Sequence, residues 1–438
     1  ERQSIRADLL AEGTDPYPAT VKRGIRIADA VAAFAKLEKK KTRVDIVGRI
    51  RAARDQGNII FYDVADESGK LQILARRDET ADFARIGTML HIGDFVEVQG
   101  TAYRTKRGEK SIAAKRIRLI AKSIRPLPSE WYGLKDTDER FRKRYLDTLF
   151  NEGVKDRLVK RSEIIRMLRE TIWKEGFEEV ETPALQLIPG GALARPFLTH
   201  HNALDADFYL RVAPELYLKR LLVGGFEKIF EIGRVFRNEG IDRDHNPEFT
   251  MLELYWAYQD YRGMMKFVHT LLKPFIPGRW ATVSFADACK THGGKRPEEI
   301  PAGELDDFFK KNVRPRIIAP TYVIDYPERI MPLAKQKEGE SGLTESFQLI
   351  VNGCEVVKGF SEMNDPIVQR RQMEEQERRF RAGDQEASRM DDDFLEALEY
   401  GMPPAAGIGI GIDRLVAVAT KTRGIKEIIF FPTLRPKK

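Results

Sequence analysis

An α+β chain in two parts is what the sequence predicts: a small N-terminal β-barrel and, after a linker, a larger domain of helices and strands. Three observations carry this. Five short segments of alternating polarity lie between Arg43 and Ile120, with one helical segment after the third. A stretch rich in proline and turn formers, SIRPLPSEWYG, follows at 123–133. Beyond it, helical periodicity alternates with strand signals. These include VFRNEGIDRDHNPEFTMLELYWAYQDY at 235–261, where a charged loop runs into an apolar stretch that contains Glu253.

The composition sets bounds. A chain of 438 residues, 42% hydrophobic and 32% charged, reads as soluble and globular with room for two or three cores. No run of about 18 apolar residues occurs, so no membrane span is expected. No secretory leader is read, and because the first residue is Glu1 rather than Met, the natural start is expected upstream. Cys289 and Cys354 are far apart and match no zinc or redox spacing, which suits a reducing cytoplasm. Residues 1–125 hold 26 Lys and Arg against 17 Asp and Glu, whereas the whole chain holds 74 against 67. The basic excess therefore belongs to the N-terminal part. It points to an anionic partner, nucleic acid first, with a merely solvated basic surface as the alternative.

Element by element, residues 29–40 read as an amphipathic helix ending in KLEKKK. RVDIVGRIRAAR, NIIFYDVADES, GKLQILARR, DFVEVQGTAYRT and KSIAAKRIRLI read as five strands, with ADFARIGTML as the helix between the third and fourth. That order is the order of an OB-fold, a barrel that often binds single-stranded nucleic acid. The predicted domains are 1–122, helix and barrel; 123–135, linker; and 136–438. In the last, TDERFRKRYLDTLF and Val154–Glu175 read as helices, and GFEEVETPAL as a short strand stopped by Pro183. PELYLKRLLVGG reads as a helix with Glu215 in its first turn. Two antiparallel strands, at 228–238 and 248–259, are joined by GIDRDHNP.

Side chains alternate along a strand, so Thr250, Leu252, Leu254 and Trp256 share a core-like face, and Phe249, Met251, Glu253 and Tyr255 share the other. Arg237 and Glu239 share a face of the preceding strand. The pair offers a floor with a guanidinium able to fork onto phosphate, a ring able to stack on a base, and an acid that needs a cation. Read singly, the same residues make an ion pair on an exposed sheet, with Phe249 in a core and His245 a plain loop residue.

Taken together, the motifs resemble those of class II aminoacyl-tRNA synthetases, specifically lysyl-tRNA synthetases, over almost the whole chain. Residues 235–261 resemble motif 2, GFEEVETP motif 1, and GIGIGIDRL at 407–415 motif 3; RVAPELYLKRL, RPFLTHHNAL, GFSEMNDP and EYGMPPAAG resemble lysyl-enzyme signatures. The resemblance implies an antiparallel sheet flanked by helices as the class II catalytic domain, behind an OB-fold anticodon-binding domain. It implies ATP and L-lysine as substrates, tRNA-Lys as partner, Mg²⁺ as cofactor, a homodimer, no membrane association and a cytoplasmic place.

Residue by residue, the resemblance implies catalytic roles for Arg237 and Arg414. It implies lysine contacts from Gly191, Glu215, Arg237, Glu253, Tyr255, Phe360 and Glu362. ATP contacts fall to Arg237, Glu239, His245, Asn246, Phe249, Glu355 and Arg414, and anticodon contacts to Arg54, Phe61, Gln72 and Glu109. Read alone, Phe61 could equally be barrel core.

Three departures stand out. Where the family has two metal-holding acids seven residues apart, this chain has Gln348 and Glu355; Lys358 replaces an asparagine; and PPAAG lacks the usual threonine. A metal role is implied for Glu355, with Gln348 as its uncharged partner. The chain between motifs 2 and 3, particularly 280–345, reads as trimmed. A lysine-attaching paralogue that modifies protein, a non-catalytic RNA-binding module and an aspartyl or asparaginyl synthetase are the other readings. The barrel, the retained Arg237 and Arg414, and the acids Glu253 and Glu362 argue against them in turn.

Overall fold

The computed structural model describes residues 1–128, 134–384 and 386–437. Two compact units, Glu1–Trp131 and Tyr132–Lys438, each have a hydrophobic core of their own. Residues 129–133 of the anticipated linker lie outside the described residues.

In the first unit, β1 (Arg43–Asp55), β2 (Ile59–Ala65), β3 (Lys70–Arg76), β4 (Phe95–Arg104) and β5 (Lys110–Ala121) close a barrel in the order β1-β2-β3-β5-β4. Alternation explains it: Ile60, Tyr62 and Val64 point into the core, whereas Phe61 and Asp63 point out. The helix Phe83–Met89 joins β3 to β4 and sends Phe83 and Ile86 into the same core. The helix anticipated at 29–40 is two helices, Ile27–Ala32 and Phe34–Lys40, meeting at Ala33. No breaker marks Ala33; the bend lets Ile27, Ala30 and Phe34 all reach the barrel core. A helix at Arg2–Ala11 was not anticipated, because it buries only Leu9 and carries no apolar stripe.

The second unit is built on an eight-stranded sheet. Its strands are β6 (Glu178–Glu179), β10 (Lys228–Phe236), β11 (Glu248–Ala257), β12 (Ala281–Ser284), β13 (Thr321–Ile324), β14 (Ser346–Val351), β15 (Cys354–Ser361) and β16 (Ala405–Gly411). The order is β12-β13-β14-β15-β16-β11-β10-β6, antiparallel throughout except for the parallel edges β12/β13 and β10/β6. A separate small sheet is formed by β7 (Leu185–Gln186), β8 (Phe197–His201) and β9 (Ala206–Leu210). The helices Val154–Lys174, Tyr261–Leu272 and Ile412–Ala419 pack on one face of the large sheet and close the main core.

Three element boundaries differ from expectation. The stretch 137–150 is two helices, Thr137–Arg142 and Arg144–Phe150. The break turns Arg144 inward, where it donates to the carbonyls of Lys426 (2.6 Å), Phe430 (3.1 Å) and Ile429 (3.1 Å) and pairs with Asp147 (2.6 Å). GFEEVETPAL yields only β6 and then β7 in a different sheet, since Pro183 interrupts the ladder. β10 stops at Phe236 and β11 at Ala257, so Arg237 and Glu239 stand just past the strand end.

Candidate active site

The unpacked face of the large sheet forms the floor of a cavity of about 520 Å³. Leu252 and Leu254 of β11 and Ile408 and Ile410 of β16 face the core. Phe249, Met251, Glu253 and Tyr255 face the cavity, as do Gly407, Gly409 and Gly411. The glycines explain the alternating GIGIGI run. A Cβ on Gly407 would lie 2.3 Å from Glu362 Oε1 and 2.5 Å from Tyr255 Cε1, so any side chain there fills the cavity. Gly191 is fixed twice over: φ is +86°, and a Cβ would meet Glu215 Cβ at 2.8 Å.

One end of the cavity is acidic. Glu215, Glu253 and Glu362 are 6%, 5% and 1% exposed. Tyr255 donates its hydroxyl to Glu253 Oε2 at 3.1 Å. Burial pushes the Glu253 carboxyl well above its ordinary range, and the nearby Glu215 pushes it further. Burial also lifts Glu362 to about 8, with Lys219 opposing and Glu215 adding to the rise. Phe360, paired across the sheet with Gly407, lines the same end.

The other end is cationic. Arg237 leaves β10 at its C-terminus, and its backbone N–H donates to Pro247 O at 2.8 Å. Its guanidinium carbon lies 5.2 Å from the centre of the Phe249 ring. Its Nε is buried with no hydrogen-bond partner among the described residues. Arg414 donates from Nη2 to His245 Nε2 at 3.0 Å, and His245 Nδ1 lies 2.8 Å from Asp242 Oδ2. An acceptor at Nε2 requires the proton on Nδ1, so the imidazole donates to Asp242. Arg414 Nη1 also lies 3.9 Å from Glu355 Oε1. Burial alone would raise the Glu355 carboxyl, but Arg414, Lys358 and Arg314 outweigh it and hold it below the ordinary range.

A buried clamp positions this end from behind. Arg161, on the helix Val154–Lys174, reaches Asp413 Oδ1 at 2.5 Å and Thr250 Oγ1 at 2.9 Å; Thr250 N–H donates to Asp413 Oδ2 at 2.9 Å. The residue before Arg414 is thereby tied to β11. Glu239 lines the cavity mouth. Asn246 lines it too, but its amide is engaged by Glu248 O at 2.7 Å and Thr433 N at 3.1 Å, so it braces the loop. Gln348 on β14 pairs with Lys358 on β15, and its Oε1 is buried without a partner among the described residues.

The barrel carries a second group. Arg54 on β1 stands opposite Phe61 on β2, and Asp63 on β2 stands opposite Gln72 on β3. Phe61 is thus on the outer face and not in the core. Arg54 reaches Asp63 at 3.3 Å, Gln72 Oε1 accepts from Ser111 Oγ at 2.7 Å, and Glu109 lies in the exposed β4–β5 turn. Nearby, Arg76 lies over the Tyr103 ring at 4.5 Å.

Residues 136–435 match the family described as tRNA synthetases class II (D, K and N). The chain belongs to that family. Residues 44–120 match the OB-fold nucleic acid binding domain. A lysine–tRNA ligase of Pelotomaculum thermopropionicum is 42% identical over 480 residues, covering 100% of this chain and 94% of the relative. One of Moorella thermoacetica is 44% identical over 471 residues, covering 98% and 96%, and one of Dehalococcoides mccartyi is 42% identical over 477, covering 98% and 96%.

This synthetase brings into one cavity every anticipated catalytic-unit residue, from Gly191 to Arg414. Sequence reading passed over Lys219, Arg314, Lys310 and Tyr326, which also reach it or touch its acids. Lys219 had a signal: it stands four residues after Glu215 in a helix, one turn along the same face. Arg314 and Lys310 had none, since only the packing of the 285–326 segment turns them toward Glu355.

Proposed function

We propose that the chain is a lysine–tRNA ligase that activates L-lysine with ATP to lysyl-adenylate and transfers lysine to the 3′ end of tRNA-Lys. One observation carries it: buried acids at one end of the cavity face unengaged arginine at the other. A lysine molecule matches that polarity, with two ammonium groups toward the acids and its carboxylate toward Arg237. Glu253 and Glu362, with Tyr255, hold the side-chain ammonium; Glu215 holds the α-ammonium; Gly191 and Phe360 shape the walls. An uncharged isostere such as methionine leaves the acids unpaired, which gives large discrimination without editing.

The first step is displacement at phosphorus. A lysine carboxylate oxygen attacks the α-phosphate, the bond to the bridging oxygen breaks, and pyrophosphate leaves with the electron pair. Arg237 lies between carboxylate and α-phosphate and neutralises charge that builds in the transition state. Phe249 stacks on adenine, Arg414 covers its other face and reaches the γ-phosphate, and Glu239 and His245 complete the ATP contacts. In the second step a terminal ribose hydroxyl attacks the activated carbonyl and AMP leaves. ATP–pyrophosphate exchange against a panel of amino acids tests the assignment: exchange with lysine far above all others is expected. Exchange dependent on aspartate or asparagine instead would overturn it.

Among the described residues no group of three or more His, Cys, Asp or Glu has metal-holding geometry. Glu355 and the unpartnered Oε1 of Gln348 nonetheless supply one carboxylate and one amide oxygen, which suits Mg²⁺ delivered on ATP phosphates. The ion would supply charge neutralisation there. Gln348→Glu adds one negative charge to that donor set, so it should lower the magnesium concentration for half-maximal exchange and tighten Mn²⁺ binding measured by electron paramagnetic resonance. An unchanged metal dependence, with Lys358→Asn raising the requirement, would assign the neutralising role to the Lys358 ammonium.

The barrel is the anticodon-binding module, with Phe61 stacking on an unpaired base and Arg54, Gln72 and Glu109 at its edges. Phe61→Ala should weaken tRNA binding by about 1–3 kcal/mol and leave lysine activation unchanged. Filter binding and exchange assays separate the two; equal tRNA affinity would remove Phe61 from the interface. A homodimer is supported by exposed apolar side chains around motif 1, Val159, Met167 and Trp173 on one helix and Leu185 and Leu198 in the small sheet. No helix among the described residues is long and apolar enough to cross a membrane. A lysine–tRNA ligase reading supports a place with the translation machinery of the cytoplasm.

A further inference from the structure

Lys219 lies behind the acidic end of the cavity, against two of its acids. It is 0% exposed, on the helix Glu215–Val223. Its Nζ lies 2.6 Å from Glu215 Oε1 and 2.5 Å from Glu362 Oε2, and 5.6 Å from the Phe360 ring centre. The ammonium is thus shared between two of the three acids. Burial opposes its charge, but Glu215 and Glu362 hold the ammonium above its ordinary range.

The charges can be counted. Glu215, Glu253 and Glu362 can carry three negative charges. Glu231, the other acid close by, is already paired with Arg211 at 2.5 Å and accepts from Thr182 Oγ1 at 2.7 Å. Tyr255 is neutral, because burial and the neighbouring acids push its hydroxyl well above the ordinary range. Arg237 is matched by a substrate carboxylate. Lys219 cancels one of the three acids, and two remain. Two is the number of ammonium groups on lysine.

We infer that Lys219 is a positioning residue that sets the pocket at two uncompensated acids, and so fits it to an amino acid with two ammonium groups. The inference rests on the lysine reading of the pocket. It holds Glu215 and Glu362 together from below while the substrate approaches from the cavity. Without it, three buried acids would face two cations, and one would have to keep its proton for lysine to bind. The side chain makes no contact with the reacting end, so its effect belongs to lysine binding and not to the chemical step.

The test is lysine KM and kcat in ATP–pyrophosphate exchange from pH 6 to 9, for the full chain, Lys219→Met and Lys219→Arg. Lys219→Met keeps an unbranched side chain, one heavy atom shorter, and removes the charge. It should raise lysine KM about 10- to 100-fold with little change in kcat, and move the pH at which KM becomes favourable upward by about 1–2 pH units. Lys219→Arg keeps the positive charge, and with it the count of two uncompensated acids, and should hold lysine KM and the pH profile close to those of the unmodified chain. Circular dichroism and thermal melting check folding. Should Lys219→Met unfold, Lys219→Gln takes its place, removing the charge while keeping a polar head beside the acids. A loss confined to kcat, or an unchanged KM and pH profile in the uncharged variant, or a folded Lys219→Arg that behaves like Lys219→Met, would overturn the inference. Absence of lysine-dependent exchange in the unmodified chain would instead remove the lysine reading.

Discussion

Glu253→Gln is expected to raise lysine KM by about 30-fold or more and to leave ATP affinity nearly unchanged. Removing one partner of a desolvated charge pair costs about 2–5 kcal/mol. The site makes the cost large. Glu253 is 5% exposed, and among the described residues its only hydrogen-bond partner is Tyr255 and no cation forms an ion pair with it. In the proposed reading a lysine ammonium would supply that charge. Glutamine keeps the shape and the bond from Tyr255 but offers only a dipole. Steady-state exchange with lysine and ATP varied separately checks the result; full lysine affinity in the variant would remove Glu253 from the pocket.

The same residue predicts a pH dependence. Burial raises the Glu253 and Glu362 carboxyls above their ordinary range, Glu362 to about 8. Lysine binding favours their ionised forms and so expels protons. Lysine affinity is therefore expected to improve as pH rises from 6 toward 8, until the substrate begins to lose its own protons. The sign for stability follows. In the unfolded chain these acids ionise near ~4.3. Their contribution to the ligand-free fold is fully present below that value and is lost as pH rises toward about 8. Added lysine should consequently raise the melting temperature more at pH 8 than at pH 6.

Arg237→Ala is expected to lower kcat for adenylate formation by about 10²–10³-fold, the usual effect of deleting one preorganised donor to developing negative charge. The side chain lies at the cationic end of the cavity, its Nε without a hydrogen-bond partner among the described residues, steadied by the Phe249 ring at 5.2 Å. Burial lowers its value from that of a free guanidinium, yet arginine keeps its proton at neutral pH. Arg237→Lys should recover little, because an ammonium cannot fork onto carboxylate and phosphate together. Single-turnover formation of lysyl-adenylate, with lysine and ATP saturating, separates this from binding. A variant with the unmodified rate would move the role to Arg414.

Much of the site was legible because strand alternation is local. The period of two placed Phe249, Met251, Glu253 and Tyr255 on one face and Leu252 and Leu254 on the other, and the structure has that division. The barrel was legible for the same reason, down to the helix between β3 and β4. Local pattern could also say that Glu253 was out of place, since an acid in an apolar strand demands a cation. It could not say where that cation comes from. Whether Phe61 faces core or solvent depended on the closure of the barrel, which turns Ile60, Tyr62 and Val64 inward.

What the sequence by itself determined is therefore the class of fold and the order of its elements, because each rests on spacing within one strand or helix; the candidate site residues came from the resemblance of its motifs to the family. Tertiary structure alone decided the breaks at Ala33 and Lys143, where packing against a core outweighs an unbroken helical pattern. It alone set Asn246 to bracing the loop, and it alone brought Lys310 and Arg314 toward Glu355. It alone joined Lys219 to Glu362, 143 positions apart in the sequence. Charge balance in a buried pocket is summed over elements that meet only when the chain folds, and no local pattern carries that sum.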